Sequence, residues 1–306
     1  MLFRAILLSL AAFGLSYVLT PITVPLCRLV GAIDRPDGAR KINDIPVPRL
    51  GGLGFFLSSA IILLPFVTLS PAAAAVTVSG AIIVAGGVAD DTFGLSPLAK
   101  FLIQICASAI AVLIVGIPGS FSFFGLFSIP LSGVLGFFFS VFRFVFTVNA
   151  VNFSDGLDGL ASGLSSVALL SLALFGAANS RNYPAAAALI LAFAVIGFMP
   201  YNKYHAKVFM GDSGSQFLGL AIAILSIACS EGGGFTLETS LFLAIPTLDT
   251  AVSIARRILK GKSPFAADKG HLHHILLNIG VPHPYAVNLL VAVSAIIAIG
   301  ALLFTV

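Results

Sequence analysis

Residues 149–163 read NAVNFSDGLDGLASG, just after the phenylalanine-rich run FFFSVFRFVF at 137–146 and just before a run of leucines and alanines. Two acids, Asp155 and Asp158, stand between stretches with the composition of lipid-embedded helices. The chain as a whole explains the flanks. Hydrophobic residues make up 58% of it, charged residues only 9%, and the mean hydropathy of +1.09 lies far above that of soluble domains. Apolar runs of about 18 residues or more recur from end to end, and each can cross a hydrocarbon core of roughly 30 Å as a helix. No alternation at barrel spacing is present, so the fold class is all-α, a polytopic helical membrane protein forming a single domain over 1–306. The run that follows Arg4 continues to about Val30 and reads as a retained span, not a cleaved leader.

Working outward from the central stretch, hydropathy predicts about ten spans, near 3–27, 51–69, 72–90, 98–117, 132–152, 156–177, 184–200, 213–230, 237–258 and 285–305. One side then holds the loops 28–50, 90–98, 152–156, 200–213 and 259–284, and the other holds both termini. Of sixteen Lys and Arg, only Arg4 and Arg181 fall on the second side; the rest, Arg143 among them, count toward the first. The positive-inside bias makes that first side cytoplasmic and both termini extracytoplasmic. The pI of about 9.1 reflects this basic inner face and not a nucleic-acid-binding domain. All ten Asp and all five His also lie on the first side, while Glu231 and Glu238 lie on the second. An acid at the centre of a span costs about 2.5–3.5 kcal/mol, so acids gathered at one membrane edge point to an active site there. The cysteines Cys27, Cys106 and Cys229 sit in or beside apolar runs and read as packing residues.

Four further stretches carry chemistry. GGVADDTFGLSPLAK (86–100) pairs Asp90 with Asp91, adjacent carboxylates that need cations, and supplies Lys100. In the central stretch Asn149, Asn152, Asp155 and Asp158 are each three apart, so neighbours share a face where the helix persists. VFMGDSGSQFLG (208–219) brings Phe209 and Asp212 to the same side. AIPTLDTAVSIARR (244–257) places Asp249 about a turn beyond Pro246, which should bend the helix. DKGHLHH (268–274) carries His271, His273 and His274 without the spacing of a zinc helix, which favours contacts to phosphate or sugar. A helix cap accounts for one acid of each group at most. Acids on separate loops with basic residues around them suit a hard cation and a diphosphate.

Taken together, RPDGARKINDIPVPRLGG (35–52), the Asp-Asp pair, NFSDGLDGLASG, VFMGDSGS, LDT and HLHH occur in an order that resembles the polyprenyl-phosphate N-acetylhexosamine-1-phosphate transferases, relatives of the phospho-MurNAc-pentapeptide translocase. The likeness runs through nearly the whole chain, and HLHH resembles the branch that starts lipopolysaccharide and teichoic-acid linkage units. Asn43 departs from the pattern, standing where many relatives carry His. The resemblance implies a cytoplasm-facing active site in a bacterial inner membrane. It further implies UDP-N-acetylhexosamine and undecaprenyl phosphate as substrates, membrane lipid as surroundings, Mg²⁺ (with Mn²⁺ as a substitute) as cofactor, and UMP as product. A homodimer is compatible with it. By resemblance Asp155 and Asp212 are Mg²⁺ ligands. Asp90 and Asp91 handle the lipid phosphate or support the metal, with one of them open as a base. Asn152, Asp158 and Asp249 serve substrate binding, and Phe209 stacks on uracil. Lys41, Lys100 and the histidines 271, 273 and 274 meet phosphates and sugar. Two alternatives remain: a muramoyl-pentapeptide transferase, and an ion-coupled secondary transporter. Transporter sites lie near the midplane and often between inverted repeats, neither of which this sequence displays.

Overall fold

The computed structural model describes residues 2–35, 46–131, 133–261 and 270–304. Eight of its helices are long and apolar enough to cross a membrane: α1 (Leu2–Val30), α3 (Pro71–Phe93), α4 (Pro97–Val115), α5 (Gly133–Phe153), α6 (Leu160–Ala178), α7 (Asn182–Asn202), α8 (Gly211–Ala228) and α12 (His283–Leu303). The protein is a multi-pass membrane protein built mainly of helix. Two of the ten expected spans are shorter than a full crossing. Helix α2 (Gly51–Leu63) ends in a 3₁₀ turn, Leu64–Phe66, that carries Pro65 near its start. The expected span 237–258 divides into α9 (Leu237–Leu241) and α10 (Ala244–Leu259). Pro246 has no N–H to donate to Phe242 four residues back, and the chain breaks there instead of bending within one helix. The last helical piece, α11 (Leu272–Asn278), lies ahead of α12.

Helix α8 is the axis of the bundle. It is buried along nearly its whole length and packs against α2, α3, α4, α5, α6 and α7. Small residues make this packing close. A Cβ on Gly52 would strike the backbone of Gly214, and one on Gly87 would strike the backbone of Ser213. Helices without side chains at such crossings bring their main chains together, as in other membrane bundles. The backbone of α2 is also tied to the chain entering α8, with Gly51 N–H donating to Phe209 O (2.9 Å) and Gly52 N–H to Met210 O (3.0 Å).

The loops sort into two ends. At one end lie the α3–α4, α5–α6 and α7–α8 connections and the two-residue strands β1 (Ile33–Asp34) and β2 (Val47–Pro48), which pair antiparallel. At the other, β3 (Ser120–Phe123) pairs antiparallel with β4 (Phe127–Pro130) and parallel with β5 (Phe235–Thr236). The β3–β4 turn places Phe124 (φ 51°) and Gly125 (φ 69°) both in the left-handed region, the type I′ geometry that matches strand twist. Helix α1 starts and α12 finishes at this strand-bearing end: Arg4 lines a cavity with Ser70 and Tyr183, and Phe304 packs on Phe124.

Arg143 corrects the charge count made from sequence. Its guanidinium stacks over Phe235 (4.5 Å) and Phe121 (5.7 Å), residues of β5 and β3, so it points toward the strand-bearing end. Hydropathy fixed its position along a span but not the direction of its side chain. Cys27 and Cys229 are buried among apolar groups, whereas Cys106 is exposed on the surface of α4.

Candidate active site

Helix α3 carries Asp90 and Asp91 on its last turn, and both face the start of α8. Asp91 is buried, and its two oxygens accept the N–H groups of Asp212 (3.0 Å) and Ser213 (3.1 Å). It therefore fills the role of an N-cap for α8 from another helix, where orphan amides and the positive end of the helix dipole favour a carboxylate. Arg49, 3.7 Å from Asp91 and 3.7 Å from Asp34, adds positive charge on the same side.

Asp90 accepts the Leu95 N–H (2.7 Å) through one oxygen and meets Lys100 Nζ (2.6 Å) through the other. Lys100 also reaches Asp212 (3.0 Å), so one ammonium bridges two carboxylates. Asp90, Asp91 and Asp212 can each present an oxygen within 4.8 Å of the others. Such crowding of like charge needs cations, and Lys100 supplies the first.

Asp212 is held from below by amides. Asn152 Nδ2 donates to Asp212 Oδ1 (3.2 Å) and to Ser215 Oγ (2.8 Å), and Gln216 Nε2 donates to Asp212 Oδ2 (2.9 Å). Gln216 in turn accepts from Gln104 (3.2 Å), which accepts from Asn149 (2.8 Å). Side chains from three helices, α4, α5 and α8, thus fix one carboxylate. Gln104 and Gln216 were not singled out from the sequence: Gln104 is a single polar residue in an apolar run, Gln216 follows the GDSGS stretch with no spacing signal of its own, and their pairing is visible only once α4 and α8 face each other.

Helix α5 stops at Phe153, so the three-residue spacing joins only Asn149 and Asn152 on a helical face; Asp155 and Asp158 lie in the turns that follow. The Asp155 carboxylate lines a cavity of about 310 Å³ with Asp34, Arg49, Asn152, Asp158, Phe209, Asp212, His274 and His283. Burial, together with the charges of Asp212 and Asp91, raises its pKa well above the ordinary carboxylate range. Nothing described donates a hydrogen bond to it. Asp158 is engaged differently: its Oδ2 accepts the Ala206 N–H (3.0 Å) while its own N–H donates to His283 Nε2 (3.2 Å). The His283 ring also stacks on Tyr204 (4.6 Å between centroids). His283 escaped the sequence reading because a lone histidine beside two prolines carries no spacing signal.

The HLHH segment divides its labour. Asp249 on α10 accepts from His271 Nδ1 (2.8 Å) and from the Leu272 N–H (2.9 Å), fastening the start of α11. His273 is buried with its ring parallel to that of His271, against Gly156, where a Cβ would collide with it. Desolvation, then the neighbouring His274 and His271, lower its pKa to about 4. His274 alone of the three lines the cavity. Lys41 and Asn43 lie outside the described residues.

A second, apolar groove of about 460 Å³ runs between α4, α5 and α10, walled by Phe101, Phe137, Phe138, Phe142 and Phe146 and ending at Asn149 and Phe153.

The model for the family described as glycosyl transferase family 4 matches residues 73–230. A Bacillus subtilis protein, "probable undecaprenyl-phosphate N-acetylglucosaminyl 1-phosphate transferase", is 34% identical over 93% of this chain and 80% of its own length. A Mycolicibacterium smegmatis "decaprenyl-phosphate N-acetylglucosaminephosphotransferase" is 36% identical over 96% and 80%. A Thermotoga maritima "undecaprenyl-phosphate alpha-N-acetylglucosaminyl 1-phosphate transferase" is 33% identical over 85% and 78%.

Proposed function

The chain belongs to glycosyl transferase family 4, and on that premise we propose that it transfers N-acetylglucosamine-1-phosphate from UDP-N-acetylglucosamine to undecaprenyl phosphate in a bacterial inner membrane. A lipid phosphate oxygen attacks the sugar-bearing phosphorus; a new P–O bond forms, the bond to the uridylyl phosphate breaks, and UMP leaves. The observation that carries this reading is the meeting of two unlike surfaces at one membrane edge. The acid-lined cavity holds Asp155, Asp212 and Phe209, and the phenylalanine-walled groove ends at Asn149 and Phe153 beside it. A soluble nucleotide suits the first and an isoprenoid chain the second.

Phosphoryl transfer between two anions depends on alignment and charge neutralisation. Lys100 and Arg49 provide fixed positive charge, and Asn152 and Gln216 hold Asp212 in one orientation. The donor set fits a hard cation: Asp155 faces the cavity without a hydrogen bond from the described residues, and Asp212 lines the same space. Asp155 and Asp212 are the residues that would hold Mg²⁺, whose positive charge would offset that of the diphosphate. Asp91, with both oxygens given to α8 amides, serves as an anchor for Asp212 in this reading. Asp90 orients Lys100. Phe209 offers a ring face to uracil, and His274 and Lys41 are left for phosphate and sugar. Asp249, His271 and His273 act from behind by fixing α11 and the Gly156 turn.

Purified protein incubated with Mg²⁺, undecaprenyl phosphate and a panel of UDP-sugars should release UMP fastest with UDP-N-acetylglucosamine. Release only with the UDP-muramoyl pentapeptide would replace this reading with its nearest alternative. The cytoplasmic placement is tested separately by labelling single cysteines at positions 181 and 262, which should react from opposite sides.

A further inference from the structure

Arg143 sits on α5, about two turns from Asn149 in the direction away from the acids. Its Nη2 donates to Ser240 Oγ (2.9 Å) and its plane lies against Phe121 and Phe235, but its Nε is sealed from solvent and has no hydrogen-bond partner. Among the described residues no carboxylate forms an ion pair with it. An ionised group inside a membrane protein is costly unless something of opposite charge meets it, and its partner is then the question to ask. The guanidinium is one wall of a cavity of about 290 Å³ between α5, α8, α9 and α10. The other walls are mixed: Phe146, Ile222, Leu237 and Leu243 are apolar, while Thr147, Ser226 and Thr247 present hydroxyls. Those hydroxyls already donate to main-chain carbonyls, at Arg143, Ala223 and Leu243, so Arg143 is the cavity's charged donor. The cavity opens beside the break at Phe242 and Leu243, on the strand-bearing half of the bundle, away from Asp155 and Asp212.

We propose that this cavity binds a phosphate group through Arg143, and that the phosphate belongs to an anionic membrane lipid whose chains lie along the apolar walls. Arginine's planar fork suits phosphate oxygens, and Arg143 is the one cationic side chain among the residues that line the cavity. Two aromatic faces hold the fork in place before the ligand arrives, which lowers the ordering cost of binding. The proposal stands apart from the transfer reaction, since it uses none of the residues around the acids.

The test is thermal unfolding of delipidated protein in detergent, with phosphatidylglycerol, phosphatidylcholine or inorganic phosphate added. A ligand bound only by the folded state raises the midpoint, and phosphatidylglycerol should raise it by about 3 °C or more relative to phosphatidylcholine. Arg143→Met should abolish the difference. Thr247→Leu fills the cavity while leaving Arg143 and both rings in place, and it should abolish the difference even if Arg143→Met does not fold. An undiminished phosphatidylglycerol shift in Thr247→Leu overturns the site. A shift reproduced by inorganic phosphate alone overturns the lipid as its source.

Discussion

At one end of α5, Asn152 and Asn149 enter a network with Gln104, Gln216, Ser215 and Asp212 in which every amide nitrogen donates to a partner. Farther along the same helix Arg143 lies between two phenylalanine rings with a single serine as hydrogen-bond partner. The first arrangement spends several polar side chains to fix one carboxylate before any ligand is present, as a satisfied network in a low dielectric can. The second secures strands β3 and β5 to the bundle and leaves a donor unused. Polar groups in lipid are thus not one category. Where partners are complete the structure is set for chemistry, and where they are incomplete it is set to receive something.

The widest difference between the two ends should appear in turnover. Asp155→Asn and Asp212→Asn each remove charge from the acid-lined cavity, and UMP release should fall by roughly 10³-fold or more with either. Both proteins should remain monodisperse in detergent, since neither side chain caps a helix. Near-normal turnover in both would erase the distinction between the ends. A smaller loss should follow Phe209→Ala: a ring stacked on a base contributes about 1–3 kcal/mol, so UMP inhibition should weaken by roughly 5- to 150-fold. An unchanged inhibition constant in folded protein would make Phe209 a packing residue.

Acid should act through the support behind the cavity. His273 has a pKa of about 4 against an ordinary 6.5, because burial and two neighbouring imidazoles disfavour its charge. The unfolded chain takes up this proton below pH 6.5 and the folded one resists until about 4. The folded state is therefore favoured fully above that window and loses stability as pH falls through it. Thermal midpoints of wild type should drop more steeply across this range than those of His273→Asn, and parallel curves would count against it. The smallest effect belongs to the strand-bearing end. Glu238 is buried there with Oε2 unpartnered, so Glu238→Gln should leave UMP release unchanged. A large loss of turnover would show that the two ends are coupled.

Much of this was legible in the sequence because chemistry in lipid stands out against its background. Asp90, Asp91, Asp155, Asp158 and Asp212 were visible as acids at span ends, and the structure brings all five to one end of the bundle. What each does there was not legible. Asp91 as a cap for α8, and Asp249 as the fastener of α11, depend on helices distant in sequence meeting. Gln104 disappears in any hydropathy average, and His283 gains meaning only from the Asp158 amide and Tyr204 beside it. Strands β3 and β4 did leave a trace, the alternating SFSF and FSIP on either side of Phe124 and Gly125. Their phenylalanines read equally well as membrane residues, so the pattern was absorbed into the hydropathy of its neighbours.

The crossings at Gly52 with Gly214 and Gly87 with Ser213 bear on how such a protein can change over generations. The spacing between α2, α3 and α8 sets where Asp91 meets Asp212, and at these contacts even one methyl group would force the main chains apart. Substitutions at the rim, around Tyr204 and His274, meet no such main-chain contact and leave this spacing as it is. Inherited variation has almost no route to a different arrangement of the acids, because the first step along it already displaces a backbone. An inhibitor that draws its affinity from groups beside Asp91 and Asp212, more than from the rim, would leave resistant variants the fewest single-residue escapes.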